Sequence, residues 1–177
     1  MPFFILRTSK KIKFLALSAM IAALYVVLTY VSFALGLDKG AIQLRLSETL
    51  AALPAFTPAG IPGLFIGCML SSFLTGGHPL DAVFGSLVTL LAAVLCYFMR
   101  PLARRRAGVL LLPLPNIFLN ALLIPVILIL VYGVPEGYPF LVLTVGIGEI
   151  LASGVLGIPL GYFLARFSSH LFADPRP

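Results

Sequence analysis

Long apolar runs separated by short polar or turn-forming stretches make up most of this chain. Residues 14–37 contain no Asp, Glu, Lys or Arg over 24 positions, which is enough for one helical crossing of a hydrocarbon layer about 30 Å thick. Further long runs cover residues 82–99, 110–132 and 140–167. They do not alternate apolar and polar residues as the strands of a membrane β-barrel do. The pattern therefore predicts transmembrane α-helices.

The stretch 49–80 is apolar but too long for one ordinary crossing, because it carries no formal charge over 32 residues. Prolines and glycines between positions 58 and 63 predict a break, since proline removes a backbone donor and clashes with the preceding turn. We expect two short helical arms, residues 42–56 and 59–75, joined near 57–63. The first arm would be roughly 22 Å long at about 1.5 Å per residue.

The basic residues lie in short patches beside the apolar runs, at 7–13, at 100–106, and at Arg166 with Arg176. Flanks of this kind are retained in the cytoplasm, so an even number of crossings should separate the first two patches. This predicts an all-α integral membrane protein of the cell membrane, a single six-helix domain over residues 1–177 with both termini cytoplasmic. The expected helices are residues 12–37, 42–56, 59–75, 80–100, 110–132 and 139–168.

The composition supports a membrane protein and argues against a nucleic-acid-binding one. The chain is 60% hydrophobic and 10% charged, whereas a soluble domain carries about 25% charged residues. The net charge of +6 comes from residues that flank the apolar runs, so membrane topology explains it. Cys68 and Cys96 lie inside apolar runs and are typical of small buried hydrophobes. With His78 in a turn, they indicate no metal site.

Four ionisable side chains are expected at membrane depth in the outer half of the bundle: Arg45, Glu48, Asp81 and Glu149. A charge at the centre of a membrane helix costs about 2.5–3.5 kcal/mol and usually faces an interior or a cavity. Arg45 and Glu48 would share a helix face and could simply form a local ion pair. Asp81 could cap its helix. Glu149 has no basic residue near it in sequence, which favours a functional role.

These three acids and one arginine sum to a charge of −2, so we expect a ligand that is cationic or rich in hydrogen-bond donors. Asn120, near the middle of its helix, can both donate and accept hydrogen bonds. The chain has no phosphate-binding loop for ATP and no nucleophile-elbow or paired-histidine motif. The sequence therefore predicts a membrane binding protein that has no catalytic residues and is not an enzyme.

Several segments resemble one group of transport proteins. Residues 16–29 resemble the first helix of the substrate-binding S components of energy-coupling factor (ECF) transporters, which carries an Ala-x-x-x-Ala motif matched here by Ala19 and Ala23. More specific segments resemble the QueT family within that group, and they extend over nearly the whole chain. They are residues 43–48, 54–68, 80–93, 120–121 and 146–149. The loop 104–106 and the tail 172–177 match no pattern of the family.

The resemblance implies a six-helix S component that captures a precursor of the tRNA nucleoside queuosine, 7-aminomethyl-7-deazaguanine. It implies as partners a membrane scaffold subunit (EcfT) and two ATPase subunits that use ATP, with no cofactor bound by this chain and no nucleic acid. The pair Ala19 and Ala23 would dock on the scaffold, because small residues allow close helix approach. Ordinary internal packing of this pair is the alternative.

The implied ligand agrees with the charges. One carboxylate can accept the ring N–H and the exocyclic amino group, and a second can hold the aminomethyl cation. We expect Glu48 and Glu149 in these places, with Asp81 in reserve, and Arg45 or Asn120 at the ring carbonyl. Aromatic residues near the outer side are candidates for stacking: Tyr30, Phe33, Tyr132, Tyr138 and Phe140.

Two other functions stay open at this point. The chain could be an S component for another small vitamin. It could also be a proton-coupled carrier or a small channel that works alone, with Glu149 and Asp81 as a proton relay. Co-purification of scaffold and ATPase subunits would separate the last possibility from the others.

Overall fold

The computed structural model describes residues 2–37 and 42–171, and the side chains of residues 10–37 and 42–167 within them. All regular structure in these residues is helical. The elements are α1 (Pro2–Ala34), a 3₁₀ helix (Leu46–Ala55), α2 (Gly60–Leu74), α3 (Pro79–Phe98), α4 (Arg100–Ala103), α5 (Arg106–Val109), α6 (Leu114–Tyr132), α7 (Tyr138–Glu149), a π-helical turn (Ile150–Leu156) and α8 (Gly157–Leu171).

Four helical stretches are long and apolar enough to cross a membrane, namely Lys10–Ala34, Pro79–Phe98, Arg106–Tyr132 and Tyr138–Phe167. The prediction of an all-helical, multi-pass membrane protein is confirmed to this extent. The apolar helix α2 is shorter, at 15 residues. The count of six crossings and the cytoplasmic position of the termini stay predictions.

The first arm of the central fold-back differs from the expected α-helix over 42–56. Residues 43–45 are not helical, and the chain then winds as a 3₁₀ helix from Leu46 to Ala55. Pro54 lies inside this helix and could not donate the bond of an α-helix to the carbonyl of Leu50. A 3₁₀ helix rises about 2.0 Å per residue, so ten residues still span about 20 Å.

This 3₁₀ helix is the centre of the bundle. Eight of its ten residues are buried, and it packs against α1, α2, α3, α8 and the π-helical turn. Its start is tied to α1, because the backbone N–H of Leu46 donates to the Ser32 hydroxyl at 2.8 Å. The chain turns at residues 56–59, and α2 returns along α1. Residues at the start of the arm therefore lie at the opposite end of the bundle from the turn.

Helices α1 and α2 approach each other closely through two glycines. A Cβ atom on Gly63 would lie 2.8 Å from the Ile21 side chain, and one on Gly67 would lie 2.7 Å from Cβ of Tyr25. This contact buries Ser18 and Ala22, whereas Ala19 and Ala23 are exposed on another side of α1. The small residues of this helix thus form two separate faces, and internal packing within this chain uses only the first.

The expected last helix, 139–168, is one continuous run formed by α7, the π-helical turn and α8. Gly148 lets the chain before the 3₁₀ helix rest against α7, because a Cβ atom there would lie 2.1 Å from the carbonyl oxygen of Gln43. In the π-helical turn the carbonyl of Ala152 accepts a hydrogen bond from the Thr49 hydroxyl at 3.4 Å. The 3₁₀ helix is therefore held on both sides, by α1 and by this run.

Candidate functional site

A cavity of 360 Å³ opens at the end of the bundle opposite the basic loop 100–106. It is surrounded by α1, the chain before the 3₁₀ helix, the end of α2 with the following turn and the start of α3, and the end of α6. Its lining is Tyr25, Thr29, Ser32, Phe33, Gln43, Arg45, Ser71, Ser72, Thr75, Gly76, Gly77, Asp81, Leu128, Tyr132 and Val134. Most of these lining residues carry polar side chains, in a space enclosed by apolar helices.

Asp81 is fixed in this cavity by Tyr132, whose hydroxyl donates to Asp81 Oδ2 at 2.9 Å. The backbone N–H of His78 donates to the same Tyr132 oxygen at 3.0 Å. His78 caps α3, because its Nδ1 accepts from the backbone N–H of Leu80 at 3.2 Å. The capping role considered for Asp81 is thus filled by another residue. Asp81 Oδ1 accepts no hydrogen bond from a described residue.

Arg45 lines the cavity and makes no ion pair or hydrogen bond with its side chain among the described residues. It precedes the 3₁₀ helix in an extended conformation, so the ion pair with Glu48 that an α-helix would favour is not formed. A partly buried cation without a partner is costly unless water or a ligand satisfies it. The side chains of Gln43 and Ser72 are also without a described partner. The cavity therefore offers open donors and one open carboxylate oxygen.

Glu48 and Glu149 meet beneath the cavity in a second group of side chains, which we call the carboxylate cluster: Tyr25, Glu48, Asn116, Asn120, Glu149 and Ser153. Nδ2 of Asn116 lies 3.0 Å from Glu48 Oε2 and 2.8 Å from Glu149 Oε2. Both carboxylates are at most 8% exposed. Tyr25 donates a hydrogen bond to Glu48 Oε1.

Asn116 is the centre of the carboxylate cluster. Its Oδ1 accepts from Asn120 at 3.1 Å, and its Nδ2 also lies 2.8 Å from the Ser153 hydroxyl. Ser153 in turn reaches the backbone oxygen of Glu48 at 3.0 Å and Glu149 Oε2 at 3.1 Å. The amide has two hydrogens for three acceptors, so these contacts are shared. The network joins α6, the 3₁₀ helix and the π-helical turn.

The residues expected to bind a ligand thus divide into two groups. Arg45 and Asp81 line the cavity, whereas Glu48, Asn120 and Glu149 belong to the carboxylate cluster. Tyr25 belongs to both, because it lines the cavity and donates to Glu48. The described residues contain no group of three or more His, Cys, Asp or Glu side chains suited to a metal ion.

The aromatic candidates divide in the same way. Phe33 and Tyr132 line the cavity. Tyr30, Tyr138 and Phe140 are exposed and do not line it, and the hydroxyl of Tyr138 donates to the backbone of Leu122. Three members of the carboxylate cluster were not predicted from the sequence: Tyr25, Asn116 and Ser153. The spacing of Asn116 and Asn120 by one helical turn in an apolar helix was a signal for the cluster.

The sequence is similar to that of known transport proteins. The family model described as QueT transporter matches residues 15–166. The queuosine precursor transporter QueT of Lactococcus lactis subsp. cremoris (strain MG1363) is 40% identical over 72 residues, which are 41% of this chain and 42% of that protein. The chain thus spans less than half the length of this relative in the match, and no solved structure matches it. Because the family model covers most of its length, this multi-pass membrane protein belongs to the QueT transporter family.

Proposed function

We propose that the chain is the substrate-binding S component of an ECF transporter and captures 7-aminomethyl-7-deazaguanine for uptake into the cell. The observation that carries the proposal is the cavity, in which Arg45, which makes no ion pair with a described residue, and a carboxylate with an oxygen open among those residues face the same space. Membership of the QueT transporter family and the name of the Lactococcus relative support the class of substrate.

The cavity suits a small, flat, polar base. Its volume of 360 Å³ lies within the range of about 300–1,000 Å³ that is usual for small-molecule sites. Asp81 would accept one of the two ring donors, the N–H and the exocyclic amino group, at its open Oδ1 and the other at Oδ2, which it would share with Tyr132. Arg45 would donate to the ring carbonyl. Phe33 and Tyr132 would stack on the ring. Gln43 would complete the polar contacts.

The carboxylate cluster would form the floor of this site. Glu48 and Glu149 remain our candidates for binding the aminomethyl cation. The cation would approach them from the cavity beside Tyr25, and Asn120 would contribute a further polar contact. Because Tyr25 now occupies one oxygen of Glu48, the cation would have to compete with a phenol hydroxyl. We therefore rank Asp81 above both glutamates as the first carboxylate of the site.

In this proposal the chain crosses the membrane six times, and the cavity opens to the outside. Both termini and the basic loop lie in the cytoplasm, where such residues are retained. The exposed pair Ala19 and Ala23 would dock on the scaffold subunit EcfT. Two ATPase subunits would hydrolyse ATP, and this chain would bind neither ATP nor another cofactor.

The test is a thermal-shift and calorimetric panel on the purified chain with 7-aminomethyl-7-deazaguanine, its 7-cyano analogue, guanine and several vitamins. We expect the aminomethyl compound to bind most tightly. Tighter binding of a vitamin would assign the chain to another substrate. Uptake by the chain alone, driven by a proton gradient without ATPase subunits, would favour the proton-coupled carrier, for which the buried Glu48 and Glu149 are a specific argument.

A further inference from the structure

The corner formed by α4 and α5 carries a dense positive charge that the proposed capture of a ligand does not use. Arg100, Arg104, Arg105 and Arg106 are all exposed there. Arg166 of α8 lies one helical turn beyond Tyr162, whose hydroxyl donates to the backbone carbonyl of Arg106 at 3.1 Å. We call these five residues the arginine corner. Residues 97–109 and 157–171 contain no Asp or Glu, so no acid on these segments balances the charge.

The backbone beneath the arginine corner is closely packed. A Cβ atom on Gly108 would lie 2.1 Å from the carbonyl oxygen of Leu102, and one on Gly161 would lie 2.9 Å from Val109. Val109 is 1% exposed and packs with Leu112 in the core. The guanidinium groups are therefore presented from a well-anchored turn.

Aromatic residues border the arginine corner where the membrane-spanning part of α3 ends. Phe98, the last residue of α3, is 71% exposed. The guanidinium of Arg100 donates to the Tyr97 hydroxyl at 3.0 Å and lies 4.9 Å from the centre of its ring. Aromatic side chains at the end of a span are typical of the level of the lipid headgroups. This arrangement is the one expected of a basic patch at the level of the lipid headgroups.

We propose that the arginine corner is a binding site for the phosphate group of an anionic phospholipid. Arginine presents a planar fork of donors that matches phosphate oxygens bidentately. Uncompensated positive charge beside a span attracts anionic lipids, and a zwitterionic lipid would gain less from it. The acyl chains would lie along the apolar exposed side of α3 that ends at Phe98. A soluble phosphate would make no use of that surface.

The experiment is native mass spectrometry of the purified full chain with phosphatidylglycerol and phosphatidylcholine at equal concentrations. The wild type should retain phosphatidylglycerol in preference. Arg104 and Arg105 are changed together to Gln, because neither side chain has a described partner. Affinity for phosphatidylglycerol should fall about 25-fold, because each of the two basic residues contributes about fivefold. The matched control changes exposed Lys10 and Lys11, which flank a different span, to Gln and should lose clearly less affinity than the arginine variant.

Three results would overturn the proposal: equal retention of both lipids, an equal loss in the lysine control, or displacement of the lipid by glycerol 1-phosphate at the same concentration. The last result would identify a site for soluble phosphate. If the arginine variant is less stable in phosphatidylcholine, Phe98→Ala provides the second measurement, since that exposed side chain contributes little to folding. It should weaken lipid retention and leave the melting temperature unchanged, and unchanged retention would refute the lipid pose.

Discussion

Asp81→Asn should weaken the binding of 7-aminomethyl-7-deazaguanine while the protein still folds. The substitution keeps the shape of the side chain, and its amide oxygen can still accept the hydrogen bond of Tyr132, which is 2.9 Å long in the wild type. It removes the charge that would hold the two ring donors. A hydrogen bond to a charged group is worth about 1.5–3 kcal/mol, so affinity should fall about tenfold to a hundredfold.

Isothermal titration calorimetry of the purified chain measures this change, and a melting curve without ligand confirms the fold. The matched control is Glu136→Gln, which removes one acid from the exposed loop between α6 and α7 at the same end of the bundle. It should leave affinity unchanged, because Glu136 does not line the cavity. Equal affinities for Asp81→Asn and the wild type would refute the assignment of Asp81 to the ligand. Equal losses of affinity in both variants would mean that binding depends on the total negative charge at this end of the bundle and not on a contact with Asp81.

Three further outcomes are expected. Glu48→Gln and Glu149→Gln should each weaken the binding of the aminomethyl compound more than that of its uncharged 7-cyano analogue in the same titration, because only the former is cationic. An equal effect on the binding of both ligands would mean that the two acids have a structural role. Ala19→Trp should abolish co-purification of the scaffold subunit and leave ligand binding intact, since Ala19 is exposed on α1, whereas Ala22→Trp should damage the fold. Cysteines introduced at Arg104 and Gly137 should react with impermeant reagents from opposite sides of the membrane, and labelling from one side would exclude six crossings.

The sequence was sufficient to predict a helical membrane protein and a break in the stretch 49–80. Apolar length and proline act locally, so these features can be recognised from neighbouring residues. The winding of the first arm could not be predicted in the same way. Arg45 is extended, and the chain winds as a 3₁₀ helix only from Leu46 onward, so Arg45 and Glu48 are not on one helix face. The two residues, expected to lie side by side, are consequently in different sites.

The carboxylate cluster depended on contacts that no local pattern reveals. Asn116 is 68 residues from Glu48 and 33 from Glu149 along the chain. Its role follows from the packing of α6 against α7 and the π-helical turn. Sequence reasoning could identify Glu48 and Glu149 as costly groups in a membrane, but it could not predict that one amide would serve both. To assign a role to a polar residue in an apolar helix, one must therefore know every element that packs around that helix.

The central place of Asn116 leads to a prediction about stability. Asn116→Leu should lower the melting temperature more than Asn120→Leu, because Asn116 donates to two buried carboxylates and Asn120 donates only to Asn116 among the described residues. Each acceptor left unsatisfied in the interior costs about 1–3 kcal/mol or more.

Adding Glu149→Gln to Asn116→Leu distinguishes this reason from a simple loss of packing. Without the amide the two carboxylates face each other with fewer donors, and removal of one charge relieves their repulsion. The double variant should therefore be more stable than the sum of the two single effects predicts, and a double-mutant cycle measures the difference. Strict additivity would mean that Asn116 stabilises the bundle by its shape alone. In that case the two carboxylates would not be coupled through it, and a ligand at the cavity floor could be held by either glutamate independently.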